Sequence, residues 1–285
     1  MSGFSFRRSV TGLLLLTFIH CSSLSAVSYA NDAPNRIISL APNVTEILYA
    51  LGLEERIAGV TSFCDYPPEA KRKPKIGGMS NPSLEAVVSL KPDLVVVTTD
   101  GNPKEFEERL RSMKIKTYVV RAKRISQLPQ AIRDLGAALG SRERADSMAN
   151  DLESQIRRFG MGHITTPRKK ILFIVWPDPL IVAGPGSIAD DAIKLLGAEN
   201  VASAAKAGYP KYSIEEIIHQ APDIIFVGKG TGMEGVSKGL LDRLKSVPAV
   251  RNKKVFYVGD YLYRLGPRTI AGLAELDKHL KGAQK

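Results

Sequence analysis

The sequence predicts an α/β protein of two lobes, each a mainly parallel sheet flanked by helices, joined by one long rigid helix. Three observations carry that expectation. Ser83 to Val97 (SLEAVVSLKPDLVVV) aligns without gaps on Ser213 to Val227 (SIEEIIHQAPDIIFV), with Ser, Glu, Pro and Asp coinciding at 83/213, 85/215, 92/222 and 93/223. Upstream of each copy stands an amphipathic helix ended by Gly. Between the copies runs a helical stretch with apolar residues three or four apart.

The chain opens on a targeting segment. Arg7 and Arg8 precede an apolar run from Val10 to Ile19, and Ser28 and Ala30 occupy −3 and −1 of a signal-peptidase site. Residues 1–30 are therefore expected to be a signal peptide, with export to the periplasm or another extracytoplasmic space. A lipid anchor on Cys21 would need a small residue before it, where bulky His20 stands, so none is expected. No later run approaches the ~20 apolar residues of a spanning helix.

The N-terminal lobe is expected over 31–141. Val44 to Ile57 (VTEILYALGLEERI) reads as a helix closed by Gly52, and its counterpart Ala189 to Val201 (ADDAIKLLGAENV) is closed by Gly197. Downstream, Ser83 and Ser213 cap short helices, and Glu85 and Glu215 lie at the positive helix ends. Pro-Asp stops each helix, and a β-branched run then reads as a strand buried on both faces. From Gly to capping Ser is 31 residues in the first copy and 16 in the second, so the first carries an insert containing Phe63-Cys64-Asp65-Tyr66-Pro67-Pro68. Two such units imply two α/β lobes.

Leu128, Ile132, Leu135 and Leu139 form one helical stripe, broken at Gly140-Ser141. Ala145, Met148, Leu152, Ile156 and Phe159 form the next. The connecting helix is assigned to 142–160 and the C-terminal lobe to 161–285. A helix of that length spans roughly 27 Å and is stiff, unlike a Gly/Ser linker.

The net charge is +11, of which Arg7 and Arg8 supply two with no acid beside them, leaving +9 after signal removal. Basic side chains are scattered rather than clustered, and export argues against nucleic acid as a partner. A monomer is expected. Cys64 alone survives signal removal, so no internal disulfide forms, and a buried thiol is expected. His163, His219 and His279 lie far apart with no CxxC or HExxH, which gives no metal site. Gly230 to Gly235 matches GxGxxG but lacks a suitably spaced acid. No nucleophile is paired with a base, and the chain is not expected to be an enzyme.

Ligands of open parallel sheets bind beyond the carboxyl ends of strands. Those ends are Thr98-Thr99-Asp100-Gly101-Asn102, Gly228 to Gly235 and Gly259-Asp260-Tyr261. They are joined by the Phe63 to Pro68 insert and by Trp176-Pro177-Asp178-Pro179, which is expected to follow a strand over Ile171 to Val175. Aromatic faces, prolines and a few charges suit a large, partly apolar ligand. The candidate ligand residues at these ends are Phe63, Asp65, Tyr66, Pro67, Asp100, Trp176, Asp260 and Tyr261.

Several segments together resemble periplasmic binding proteins of the siderophore, haem and cobalamin importers. They are Arg36 to Glu46 (RIISLAPNVTE), Cys64 to Ala70 (CDYPPEA), Ser83-Leu84-Glu85 and Lys91 to Val95 (KPDLV). Asp65 to Pro68 and Asp260 to Arg268 (DYLYRLGPR) look like the cobalamin-binding branch. The resemblance implies two lobes on a rigid helix and a corrinoid ligand that brings its own cobalt, with no cofactor held by the protein itself. It implies that Phe63 faces the corrin, where relatives carry Tyr, and that Asp260 and Arg264 contact its side groups; amides at a corrinoid rim accept from Arg and donate to Asp. Tryptophans expected near Gly77 and near Thr98-Thr99 are absent, as is a relative's disulfide in the second lobe. It also implies that Glu85 and Glu215 dock on arginines of an ABC importer permease dimer, and a two-fold partner needs that symmetry. The alternative is a siderophore or haem binder, the latter using Tyr66, Tyr209 or Tyr261 as axial ligand; a secreted two-lobed enzyme is a more distant one.

Overall fold

The computed structural model describes residues 33–99, 101–161, 167–229 and 239–282, together with Met1. The expectations for the signal segment, Asp100, His163 and Gly230 to Gly235 fall outside the described residues.

Two separate sheets form. Strands β1 (Ile37–Ser39), β2 (Ile57–Val60), β3 (Leu94–Thr98) and β4 (Thr117–Val120) make the first, in the order β2-β1-β3-β4 with parallel pairing throughout. The second contains β5 (Lys170–Pro177), β6 (Leu180–Val182), β7 (Glu199–Asn200), β8 (Ile224–Gly228) and β9 (Val255–Val258). Its order is β6-β5-β8-β9, with β7 also paired to β5, and β6 runs antiparallel. The repeat is visible as register: Ile37 pairs with Leu94 in one sheet and Ile171 with Ile224 in the other.

The repeated residues act alike in both lobes. Ser83 caps α2 (Leu84–Ser89) by accepting from the Ala86 amide, and Ser213 caps α7 (Ile214–Gln220) by accepting from that of Glu216. Just before the shared Pro-Asp, Lys91 and Ala221 both adopt the left-handed conformation, with φ of 47° and 48°. Asp93 and Asp223 do more than follow the helix stop. Asp93 accepts from the amides of Asn35 and Arg36 just before β1, and Asp223 from that of Lys170 at the start of β5. Each aspartate thus pins its strand to the neighbouring one.

Because side chains alternate across a strand, each sheet buries two apolar faces. Ile38, Val95 and Val97 face α2 and α3 (Lys104–Ser112) in one core, while Leu172, Ile174, Ile225 and Val227 face α7 in another. The remaining faces meet in a single shared core. It holds Ile37 and Val96, Ile171, Phe173 and Phe226, and Leu152 and Ile156 of the connecting helix.

Helices α4 (Leu128–Ala138) and α5 (Arg142–Gly160) pack as a pair, so closely that a Cβ on Gly136 would collide with that of Ala145. The 19 residues of α5 span about 28 Å. Its start is tied to the first lobe, where Ser141 Oγ and Arg144 Nη1 both donate to the Leu51 carbonyl at 3.2 Å. Gly52 ends α1 (Pro42–Ala50) and Gly197 ends α6 (Ile188–Leu195), at φ of +68° and +70°, where a side chain is disfavoured. Ala33–Lys285 forms one compact unit. None of the described helices is long and apolar enough to cross a membrane.

Candidate functional site

The candidate loops are held from beneath before any ligand arrives. After β2, Cys64 is buried, and its Sγ lies 3.1 Å from the hydroxyls of both Thr45 and Thr61. This anchors Phe63 to Pro67 against α1 (Pro42–Ala50). Asn102 staples the ends of β1 and β3: its Oδ1 accepts from the Thr98 amide, and its Nδ2 donates to the carbonyls of Leu40 and Met79.

The turn after β9 is fixed in three ways. The Gly259 amide donates to Glu275 on the C-terminal helix Thr269–Gly282, and Leu262 and Leu265 are buried. Tyr263 donates to the Val175 carbonyl at 3.2 Å, and its hydroxyl lies over Gly228, where a Cβ could not fit. Burial, and then the Asp260 charge, push the Tyr263 phenol up to about 12. Tyr263 therefore stays protonated and serves as a strut.

Trp176 lies differently from expectation. Strand β5 continues through Trp176 to Pro177, pairing with β6 across a turn at Asp178-Pro179, so the tryptophan belongs to a strand rather than a loop. Where β8 pairing stops, an antiparallel partner takes over, with a register shift between Ile174 and Trp176. The indole N–H donates to the Asp178 carbonyl at 2.7 Å, and the ring is 44% exposed, so it offers a face rather than a hydrogen bond. Phe63 is likewise 57% exposed and Tyr66 46%.

The polar candidates converge from both lobes. Arg264 Nη1 lies 3.6 Å from Asp65 Oδ1, an ion pair too long for a hydrogen bond, and Nη1 is buried without one. Tyr66 and Tyr261 share a cation. The Arg268 guanidinium carbon sits 4.4 Å from the Tyr66 ring centre and 5.4 Å from that of Tyr261. Arg268 Nη1 is 3.9 Å from Asp260, and Nη2 donates to Glu46 at 2.6 Å. The Glu46 hydrogen bond, opposed by burial, holds Arg268 even more firmly protonated than usual.

Asp65, Tyr66, Asp260, Tyr261 and Arg264 thus meet in one network, with the exposed Phe63 two residues before Asp65 in sequence, while the turn that carries Asp260 and Tyr261 is tied through Tyr263 to Val175, the neighbour of Trp176. Arg268 and Glu46 are the members that sequence reasoning missed. Helical spacing held a signal: Asn43 and Glu46 are three apart on α1, and Asn43 Nδ2 donates to the Leu265 carbonyl at 3.0 Å. One face of α1 therefore reads as polar contact rather than core.

The family model described as "Periplasmic binding protein" matches residues 37–262. The chain belongs to that family. Similar relatives of this periplasmic binding protein include the vitamin B12-binding protein of Pectobacterium carotovorum subsp. carotovorum (strain PC1), 29% identical, covering 95% of this chain and 93% of the relative. The vitamin B12-binding protein of Vibrio parahaemolyticus serotype O3:K6 is 27% identical over 92% of this chain and 94% of the relative. Among solved structures, periplasmic vitamin B12 binding protein BtuF of Vibrio cholerae superposes with a TM-score of 0.79, at 26% identity, covering 89% of this chain and 99% of that one. The periplasmic haem-binding protein RhuT from Roseiflexus sp. RS-1 also gives 0.79, at 31% identity, covering 88% and 99%.

Periplasmic binding proteins work with ABC transporters outside the cytoplasm, and this membership fits the two lobes on one helix. In this member, Glu85 and Glu215 are both exposed two residues after their capping serines, with Val87 and Ile217 buried behind them.

Proposed function

We propose that this periplasmic binding protein captures a cobalamin-type corrinoid between its lobes and delivers it to the permease dimer of an ABC importer. The observation that carries the reading is the two-lobe network of Asp65, Tyr66, Asp260, Tyr261 and Arg264. A corrinoid presents a broad apolar face and an amide-bearing rim; rings at Phe63, Tyr66 and Trp176 suit the first, and Arg264 with Asp260 suits the second. Pro67 stiffens the Tyr66 loop, and Asp100 completes the set of ligand residues. Full-length similarity to vitamin B12-binding proteins supports the choice of ligand. The cobalt arrives with the ligand, so the protein needs no cofactor, and its work is binding rather than catalysis.

Export by the 1–30 signal, without a lipid anchor, and a monomeric mature protein complete the reading. The domain division is 31–141, 142–160 and 161–285. Glu85 and Glu215 dock on the permease, one from each lobe; the exposure of both at matched helix positions supports this.

Haem is the second reading, favoured by the likeness to RhuT and by the exposed Tyr66 ring. Titrating the purified mature protein with cyanocobalamin, haemin and ferric siderophores, by Trp176 fluorescence and calorimetry, tests both. Saturable corrinoid binding with quenching is expected. A response to haemin or a siderophore alone would replace the ligand and leave the class standing.

A further inference from the structure

We infer that Arg268 is a positioning residue that joins ring faces from both lobes into one aromatic floor, a role that rests on the cleft being the ligand site. Tyr66 comes from the loop after β2 and Tyr261 from the turn after β9, so the two rings belong to different sheets. Both lie within the ~6 Å over which a guanidinium is held by a ring face. The cation is itself fixed. Glu46, only 5% exposed, takes one end of the fork at 2.6 Å, and Asp260 faces the other at 3.9 Å. Because Glu46 stands on α1 of the first lobe and Arg268 at the head of the C-terminal helix, the same side chain that orients the rings also ties the lobes.

This geometry requires arginine. A planar fork reaches two carboxylates at once while its faces contact rings, whereas a lysine ammonium is a point charge that cannot do both. Rings already held in place need not be ordered when a ligand stacks on them, so Arg268 contributes to affinity without touching the ligand.

The test uses the full mature protein labelled with 3-fluorotyrosine, the resonances of Tyr66 and Tyr261 being assigned from Tyr66→Phe and Tyr261→Phe, with Tyr118 as an internal reference. Arg268→Lys should shift both resonances, leave Tyr118 in place, and weaken cyanocobalamin binding by about tenfold. Removing Arg268 alone could strand the Glu46 charge in the interior, so Glu46→Gln with Arg268→Gln serves as the second variant and should give the same pair of shifts. Resonances unmoved in both variants would overturn the inference, as would moved resonances with wild-type affinity. Should the wild-type protein ignore cyanocobalamin, the ligand reading falls, and the same two measurements with haemin decide the role of Arg268.

Discussion

At the scale of single residues, the most informative positions are those whose partner lies far along the chain. Asp93 binds backbone amides 57 and 58 positions away, and its repeat partner Asp223 reaches 53 positions back. A carboxylate that accepts from amides contributes more than a neutral acceptor would. Asp93→Ala should lower the unfolding free energy by about 1–2 kcal/mol in urea, measured as a lower midpoint at constant slope. His279 makes a pH prediction. It stacks on Phe256 with ring centres 4.0 Å apart, and burial first, then Lys278, lowers its pKa below 6.5, against the pull of Glu275. The unfolded chain therefore takes up the proton first, so stability contributed at neutral pH is lost as pH falls through about 6.5. His279→Phe removes that loss. The melting temperature of the variant should fall less than that of wild type between about pH 7.5 and about pH 5.5; parallel curves would refute the assignment.

At the scale of elements, the connector is stiff for reasons that its length alone does not supply. Helix α5 is paired along its side with α4, and the close approach of Gly136 to Ala145 sets their spacing. Gly136→Ala would force the helices apart, because neither Cβ can rotate away. The expected cost is about 1–3 kcal/mol, read by calorimetric melting, with ligand affinity weakened as the rod shifts. The capped helices of the repeat allow a matched comparison. Ser83→Ala and Ser213→Ala should each cost about 1 kcal/mol, since each hydroxyl accepts one amide in the same geometry. A large asymmetry between the two would mean that the lobes do not share this capping energy.

At the scale of the whole molecule, a core common to both lobes decides how far they can separate. Ile37 and Phe173 belong to one apolar cluster, the Ile125 amide donates to Asp191 across the lobes at 2.7 Å, and Glu46 pairs with Arg268. Opening the cleft widely would expose part of that cluster to water at roughly 25 cal/mol per Å². Ligand-free and ligand-bound protein should therefore give nearly superimposable small-angle scattering curves. A marked decrease in radius of gyration on binding would show hinge closure instead. Docking belongs to this scale too: Glu85→Ala with Glu215→Ala should abolish transport while leaving ligand affinity intact, and lost affinity would remove the docking role.

The sequence by itself determined the two-lobed α/β architecture, the duplicated unit, the stiff connector and the strand-end loops. Those features arise from short-range chemistry: capping serines, β-branched runs, glycines at left-handed turns, and 3–4 spacing. It also pointed to Asp65, Tyr66, Asp260 and Tyr261, because loops rich in rings and charge at strand ends are visible in one dimension, and the family resemblance added Arg264. Only the tertiary structure decided that Trp176 sits on a strand, that the repeated aspartates pin strand starts, and that Glu46 meets Arg268. The last two residues are 222 positions apart, and no local pattern encodes which charge will face which once two sheets pack. That choice is made by the shared core, which sets the distance between lobes and so brings the cation onto the two rings.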